Sequence, residues 1–425
     1  TISSSAADYD TLNSAANNNT LSYVADPEGK YVSPSGSDTT GDGSYSKPYA
    51  SIQKAVSAVE EGCTVYLSTG TYKLSSPVSI DRQLTISSYN GEAVLDGQGR
   101  TRIFSLKSGA SPSIQGLTVK NGYAENGGAA DLSTFDKGSN TFTISNCSFI
   151  NNAAETNGGV FYISTQQTPV GSSSIRISNC SFINNSAGGN GGVFYSISSN
   201  EGTHMAAGSL FLNNTAKEGG VFWSRGMLTF DIDYSVLISN TNIPYYAEIH
   251  RSGHYLSNSY WGANDPESLF ENLAAVSVDS YLKIAVKSDA DTITEEEHAI
   301  LTMKFIRNDG VEYGSNFFIP QIYGTLASED GTLSKSGGYI SFTGFESDFK
   351  PSKTGNLTIT GASQEETFIK TIEVLPEPIH ASPTGSGDGS LEHPCSLEYA
   401  ISKVNSGTAS NNIIELAQGS YVLSS

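Results

Sequence analysis

NCSFINNAAETNGGVFY at 146–162 and NCSFINNSAGGNGGVFY at 179–195 are two copies of one phrase, and GSLFLNNTAKEGGVFW at 208–223 is a looser third. Phe149, Phe182 and Phe211 fall in one column, as do Asn152, Asn185 and Asn214, so the period is 33 residues and then 29, and the Gly-Gly pairs at 158–159, 191–192 and 219–220 keep it with one residue fewer in the second interval. A weaker copy lies upstream, with Leu117, Val119 and Asn121 in the places of Cys147, Phe149 and Asn151, followed by Gly127-Gly128-Ala129-Ala130. An internal period of this length means a solenoid, a propeller or an array.

Composition chooses among these. The units are rich in Gly, Asn, Ser, Thr, Phe and Val, and they lack Leu, Ala, Lys and Glu at helical spacing, which removes helical repeats. Cys147 and Phe149 alternate with Ser148 as a short strand does. Gly and Asn then turn the chain, and Val160-Phe161-Tyr162 begins the next strand. Three such strands per unit make one coil of a parallel β-helix, in which like residues stack. An Asn at a corner tolerates left-handed dihedrals and can hydrogen-bond its counterpart in the next coil. The Gly pairs mark positive φ or close backbone approach. Periodicity leaves open whether Val160 and Tyr162 or Phe161 and Ile163 face inward.

Working outward, SIQKAVSAVE at 51–60 puts Ile52, Ala55, Val56 and Val59 on one helical face, suited to covering the open first coil. Strands then recur at coil-like intervals through Val65, Ile80, Ile86, Leu95, Phe104 and Val119. The pattern loosens after Trp223 and closes near Trp261. These intervals predict a β-helix over 29–270 with on the order of eight coils, preceded by a polar leader at 1–28. Over 274–376 the Asn-Gly repeat vanishes, and alternating runs such as Leu301-Met303-Phe305, Phe317-Ile319, Ile340-Phe342, Leu357-Ile359 and Phe368-Ile372-Val374 are parted by turns at Asn308-Asp309-Gly310 and Gly337-Gly338. That predicts an immunoglobulin-like β-sandwich. After a stiff Pro-Glu-Pro at 376–378, ASPTGSGDGSLEHPCSLEYAISKV at 381–404 repeats VSPSGSDTTGDGSYSKPYASIQKAV at 32–56, and Gly419-Ser420-Tyr421 repeats Gly70-Thr71-Tyr72. Residues 379–425 are therefore expected to be the start of a second β-helix in a longer tandem array.

The GGVF and FINN motifs resemble the repeats of chlamydial polymorphic outer-membrane proteins. The wider arrangement, from Gly36 to Val56 at the opening to NSYWGANDP at 258–266, resembles adhesin-like surface proteins of methanogenic archaea. The resemblance implies a right-handed parallel β-helix, Ig-like spacers, a location outside the cell, and attachment to cells or glycans without catalysis.

The balance of 23 basic against 43 acidic residues, a net charge of −20, argues against a nucleic-acid partner. Cys63, Cys147, Cys180 and Cys395 are too scattered for a disulfide framework. Cys147 and Cys180 should stack in adjacent coils, and buried thiols are expected there. No run approaches a membrane span, and no cofactor or metal is expected. The chain begins with Thr1, as a mature or excised form would.

For chemistry, Asp231 and Asp233 share one face of a predicted strand, with Arg225, His250, Arg251 and His254 near in sequence. β-Helices also carry polysaccharide lyases and hydrolases, which need such acids, but a solvated polar face explains the pair. Asp38, Asp42 and Gly43 depart from the calcium-loop spacing and fit turn chemistry. Sequons stand at Asn18, Asn146, Asn179, Asn184, Asn213 and Asn356, and those in coil corners are expected to be occluded. Tyr123, Tyr245, Tyr246, Tyr255 and Tyr260 are candidates for stacking on sugar rings, or for core packing. A purely structural stalk is the remaining alternative.

Overall fold

The computed structural model describes residues 28–107, 109–133, 140–165, 173–241, 245–249, 254–264, 266, 276–277, 280–314, 318–364, 366–409 and 412–422. Residues 1–27 of the polar leader and Phe317 lie outside these. The chain divides into two compact units, with the boundary between Tyr281 and Leu282.

The first unit is a right-handed parallel β-helix. One face is a seven-stranded parallel sheet, with strands Gly70–Lys73, Ala93–Asp96, Leu117–Lys120, Ser148–Ile150, Ser181–Ile183, Leu210–Leu212 and Val236–Ile238, and a bridge from Val236 to Tyr260 begins an eighth level. The other two faces form one larger sheet, because the long strands Phe194–Ala207 and Phe222–Asp233 run from one face into the next. Parallel pairing continues to Val276–Ser277 and a bridge at Tyr281.

Register puts like on like. Phe149 pairs with Phe182 and Phe182 with Phe211. Their rings stack at 5.0 Å with interplanar angles of 8° and 6°, and all three are fully buried. Phe161, Phe194 and Phe222 make a second inner stack. The open question of facing resolves in favour of Phe161 and Ile163, with Val160 also buried. Tyr162 turns outward and stacks on Tyr195, which stacks on Trp223 at 4.5 Å.

The paired asparagines divide two jobs that the sequence reading gave to one column. Asn121, Asn151, Asn184 and Asn213 take the left-handed conformation, with φ between 52° and 56°. The next column, Asn152, Asn185 and Asn214, is fully buried. Asn185 Oδ1 accepts from both the main-chain N and Nδ2 of Asn152 at 3.0 Å, and Asn214 and Asn240 repeat the pattern. The glycine pairs divide similarly. Gly158 has φ of 67°, whereas a Cβ on Gly159 would lie 2.2 Å from the Gly192 carbonyl oxygen of the next coil.

A second internal ladder is spelled with two different letters. Cys147 N–H donates to Cys180 Sγ at 3.4 Å, Cys180 N–H to Ser209 Oγ, Ser209 N–H to Ser235 Oγ, and Ser235 N–H to Ser259 Oγ. Each thiol or hydroxyl donates to the carbonyl two residues back, as Cys180 does to Ser178. All four cysteines are free, and burial pushes the Cys180 thiol up.

Helix α1 (Ile52–Ala58) packs on the first strands and buries Ile52, Ala55 and Val56. Ser51 caps it by accepting from Lys54 N, and Asp38 Oδ1 accepts from the N–H groups of Ala50 and Ser51 at 2.8 and 2.9 Å. Asp42 accepts from Ser44 N–H at 2.9 Å, closing a turn around Gly43. Both carboxylates are thus engaged in turn and cap hydrogen bonds, which hold both below the usual range.

In the second unit, strands Leu282–Ser288, Ala299–Arg307, Phe345–Pro351 and Gly331–Leu333 form an antiparallel sheet. A five-stranded sheet of Thr292–Thr294, Glu366–Leu375, Gly355–Ser363, Ile322–Ala327 and Gly337–Ile340 faces it. Leu301, Met303, Phe305, Ile359 and Ile372 are buried between them, and a Cβ on Gly361 would come within 2.8 Å of Val286. Gly337-Gly338, expected as a turn, lies inside a strand. The reason is packing, since a Cβ on Gly338 would sit 2.6 Å from the Phe345 ring.

Residues 379–422 reproduce the geometry of 30–73. Ile379–Ala381 pairs in parallel with Ile414–Leu416, as Lys30–Val32 does with Thr64–Leu67. Helix α2 (Leu397–Asn405) is capped by Ser396 as α1 is by Ser51. Tyr421 Oη donates to Ala381 and Ala417, and Tyr72 Oη to Val32 and Ser68. Burial separates the copies: Leu67 is fully buried, while its counterpart Leu416 is 53% exposed.

Candidate functional site

Asp231 and Asp233 flank fully buried Ile232, so both point outward from the strand Phe222–Asp233. Burial raises both above the usual carboxylate range, and for Asp233 a hydrogen bond from Asn258 Nδ2 at 2.9 Å opposes the shift. Arg225 lies on the same strand but on another face, since the register shifts between the segment pairing with Ser198 and that pairing with Gly202. His250 and Arg251 lie outside the described residues, as does the side chain of His254. The structure therefore does not bring Arg225 to the acid pair. Among the described residues no group of three or more His, Cys, Asp or Glu could hold a metal ion.

Of the tyrosine candidates, Tyr260 is fully buried, and the Tyr245 and Tyr246 side chains lie outside the described residues. Tyr255 is 54% exposed and Tyr123 38%. The sequons correct the expectation of occlusion: Asn146, Asn179, Asn184 and Asn213 are all exposed, because the left-handed corners turn these side chains to solvent, and Asn356, in a strand of the second unit, is exposed as well. Asn18 lies outside the described residues.

The feature that sequence reading missed is a groove of about 490 Å³ on the flank of the lower coils, between the level of Lys73 and that of Asn151. Beside it the buried asparagine ladder ends. Gly122 occupies the position that Asn152, Asn185, Asn214 and Asn240 fill above it, and its N–H donates to Asn152 Oδ1 as the last rung. Beneath it the corner is the Gly97-Gln98-Gly99 turn, with Gln98 at φ of 57°. Asp96 lines the groove, and its Oδ1 accepts from Gln98 N at 2.8 Å and Asn121 Nδ2 at 2.9 Å, with Lys120 Nζ 3.9 Å from Oδ2. Tyr123 stands at the edge. Its hydroxyl donates to Glu155 Oε1 at 2.8 Å, and that carboxylate raises the phenol above its ordinary range. Backbone-fixed carboxylate, amides and a ring of this kind can hold a polyhydroxyl ligand without reorganising.

The first unit thus has the architecture of a right-handed parallel β-helix. Residues 30–218 match the family described as Pel9A-like, right handed beta helix region. A rhamnogalacturonan lyase structure is 14% identical with a TM-score of 0.28, covering 55% of this chain and 69% of that one. Domains 4 and 5 of the S-layer protein SbsC are 18% identical with a TM-score of 0.16, covering 24% of this chain and 56% of that one. At these values neither structure bears on what this chain binds. No curated protein matches it. Among the described residues no helix is long and apolar enough to cross a membrane.

Proposed function

We propose that this chain is a non-catalytic, extracellular, adhesin-like module that attaches to cells or glycans through the flank of its β-helix, with an Ig-like spacer and the start of a second β-helix behind it. The observation that carries the reading is the groove beside Tyr123, a polar, aromatic-edged recess built on a backbone that stacked coils make rigid. The near-identical geometry of 30–73 and 379–422 supports modular display. The acidic, Ser- and Asn-rich surface suits an aqueous exterior. Beads coated with the chain should retain whole cells or glycans, and beads that retain neither would refute attachment.

The second reading is a polysaccharide lyase or hydrolase, favoured by the family match over 30–218 and by the raised Asp231–Asp233 pair. Assays for reducing ends and unsaturated products on polyuronates and other glycans discriminate. Turnover that disappears in Asp231→Ala would establish the enzyme.

A further inference from the structure

We infer that His204 is an acid-sensitive latch inside the coil stack: uncharged, it holds the main chain of the neighbouring coil, and protonated, it must release it. The inference is independent of what the flank binds.

His204 stands in an inner column of apolar side chains. Phe142 pairs with Ile175, Ile175 with His204 and His204 with Phe230, and His204 is only 2% exposed. Ile175, Ile177, Phe194, Ala206, Phe222 and Phe230 line the space around it, with the Phe230 ring centred 5.0 Å from the imidazole. Among the described residues, the strands packed here turn their charges away from the ring. Arg176 is exposed between buried Ile175 and Ile177, Asp231 and Asp233 point outward on either side of buried Ile232, and Arg225 is exposed. The Glu201 side chain lies outside the described residues.

The hydrogen bonds of the ring define its charge state. Nδ1 accepts from Ile175 N–H at 3.1 Å, so Nδ1 carries no hydrogen and the neutral ring keeps its one hydrogen on Nε2. Nε2 lies 3.5 Å from Ser196 Oγ, a buried hydroxyl. Protonation puts a second hydrogen on Nδ1, where it meets the Ile175 N–H head-on. The ring must then turn away, which orphans a buried main-chain donor and leaves a positive charge among aliphatic and aromatic side chains. Attraction to the Phe230 ring offsets only part of that cost. Asn185 and Asn214 accept main-chain N–H groups across coils in the same manner, but an amide takes up no proton in this range. His204 alone of these acceptors can be switched.

An unperturbed histidine titrates near pH 6.5. The unfolded chain takes the proton there and the folded ring resists it, so the stabilisation from the neutral ring is fully present above about pH 6.5 and is lost as the pH falls below it. If the folded ring stays neutral throughout, a fall from about pH 7.5 to about pH 5.0 lowers the folding constant about thirtyfold through this one residue.

Urea melts of the full chain at these two pH values, followed by the fluorescence of Trp223 and Trp261, compare the parent with His204→Asn. Asparagine Oδ1 stands as many bonds from Cα as Nδ1 does, so it can accept the Ile175 N–H without titrating. The carboxylates titrate alike in both proteins, and the ratio of folding constants, parent over variant, isolates His204. That ratio should fall at least about tenfold from the higher pH to the lower, and a smaller fall overturns the inference. Should His204→Asn fail to fold, nitrogen-15 spectra of the parent with labelled histidine decide the matter. At about pH 5.0, well below the ordinary histidine value, one of the six rings should remain neutral with its hydrogen on Nε2, and protonation of all six would overturn the latch.

Discussion

Replacing Asn185 by alanine tests the internal ladder at its most loaded rung. The side chain accepts from the main-chain N–H and amide nitrogen of Asn152, and its own amide donates to the Phe149 carbonyl and to Asn214 Oδ1, all near 3.0 Å and all at buried atoms. Asn214 Oδ1 keeps a donor in Asn185 N–H after the change. Asn152 does not recover its two donor bonds, and a buried donor left unmade costs about 1–3 kcal/mol. Two such groups give a loss of about 2–6 kcal/mol, a large share of the roughly 5–15 kcal/mol that holds a domain together. The neighbouring Asn184→Ala is the control. Asn184 is exposed with φ of 55°, so its loss costs only the left-handed backbone preference, about 1 kcal/mol. Urea melts followed by the fluorescence of Trp223 and Trp261 measure both. A loss for Asn185→Ala no larger than that for Asn184→Ala would refute the ladder as a source of stability.

Further outcomes follow from the same geometry. Phe182→Ala, which opens the middle of the ring stack, should cost about 3–5 kcal/mol, measured in the same melts. Gly159→Ala must move the Gly192 carbonyl and should destabilise far more than Gly314→Ala, whose Cβ would meet nothing within 4 Å; comparative thermal melts decide. Asp231, raised by burial, penalises the folded state once ionised. Asp231→Asn should therefore melt higher than the parent near pH 7, and the difference should vanish as the pH falls below the ordinary carboxylate range. An unchanged difference at low pH would remove burial as the cause. Cys180→Ser should preserve the Cys147 N–H bond and melt close to the parent, whereas Cys180→Ala orphans it at a cost of about 1–3 kcal/mol. The Cys147 and Cys180 thiols should react with a thiol reagent only after unfolding.

The coil stack is legible in the sequence because one residue type recurs at one period: three phenylalanines spaced 33 and 29 apart can fill a common column only in a solenoid. The asparagine doublets hide their division of labour, since identical letters at neighbouring positions perform opposite tasks, one turning the backbone and one sealing the interior. The Cys–Ser ladder hides for the converse reason, with different letters serving one hydrogen-bonding role. Gly337-Gly338 misleads because glycine serves both turns and close packing, and only the Phe345 ring distinguishes them. The groove was beyond sequence reading. It gathers Lys73, Asp96, Asn121 and Asn151 from four successive coils, residues that no single motif in the sequence brings together.

The central claim is that residues 30–266 rise in level, near-identical coils, and electron–electron distances between spin labels test it most directly. With one label at Lys73 and the second at Ile150, Ile183 or Leu212, successive outward strand positions on one face, the separation should grow by about 4.8 Å per coil, through roughly 14, 19 and 24 Å. Distances that fail to lengthen in equal steps of that size would contradict the stack, and with it the groove and the function drawn from it.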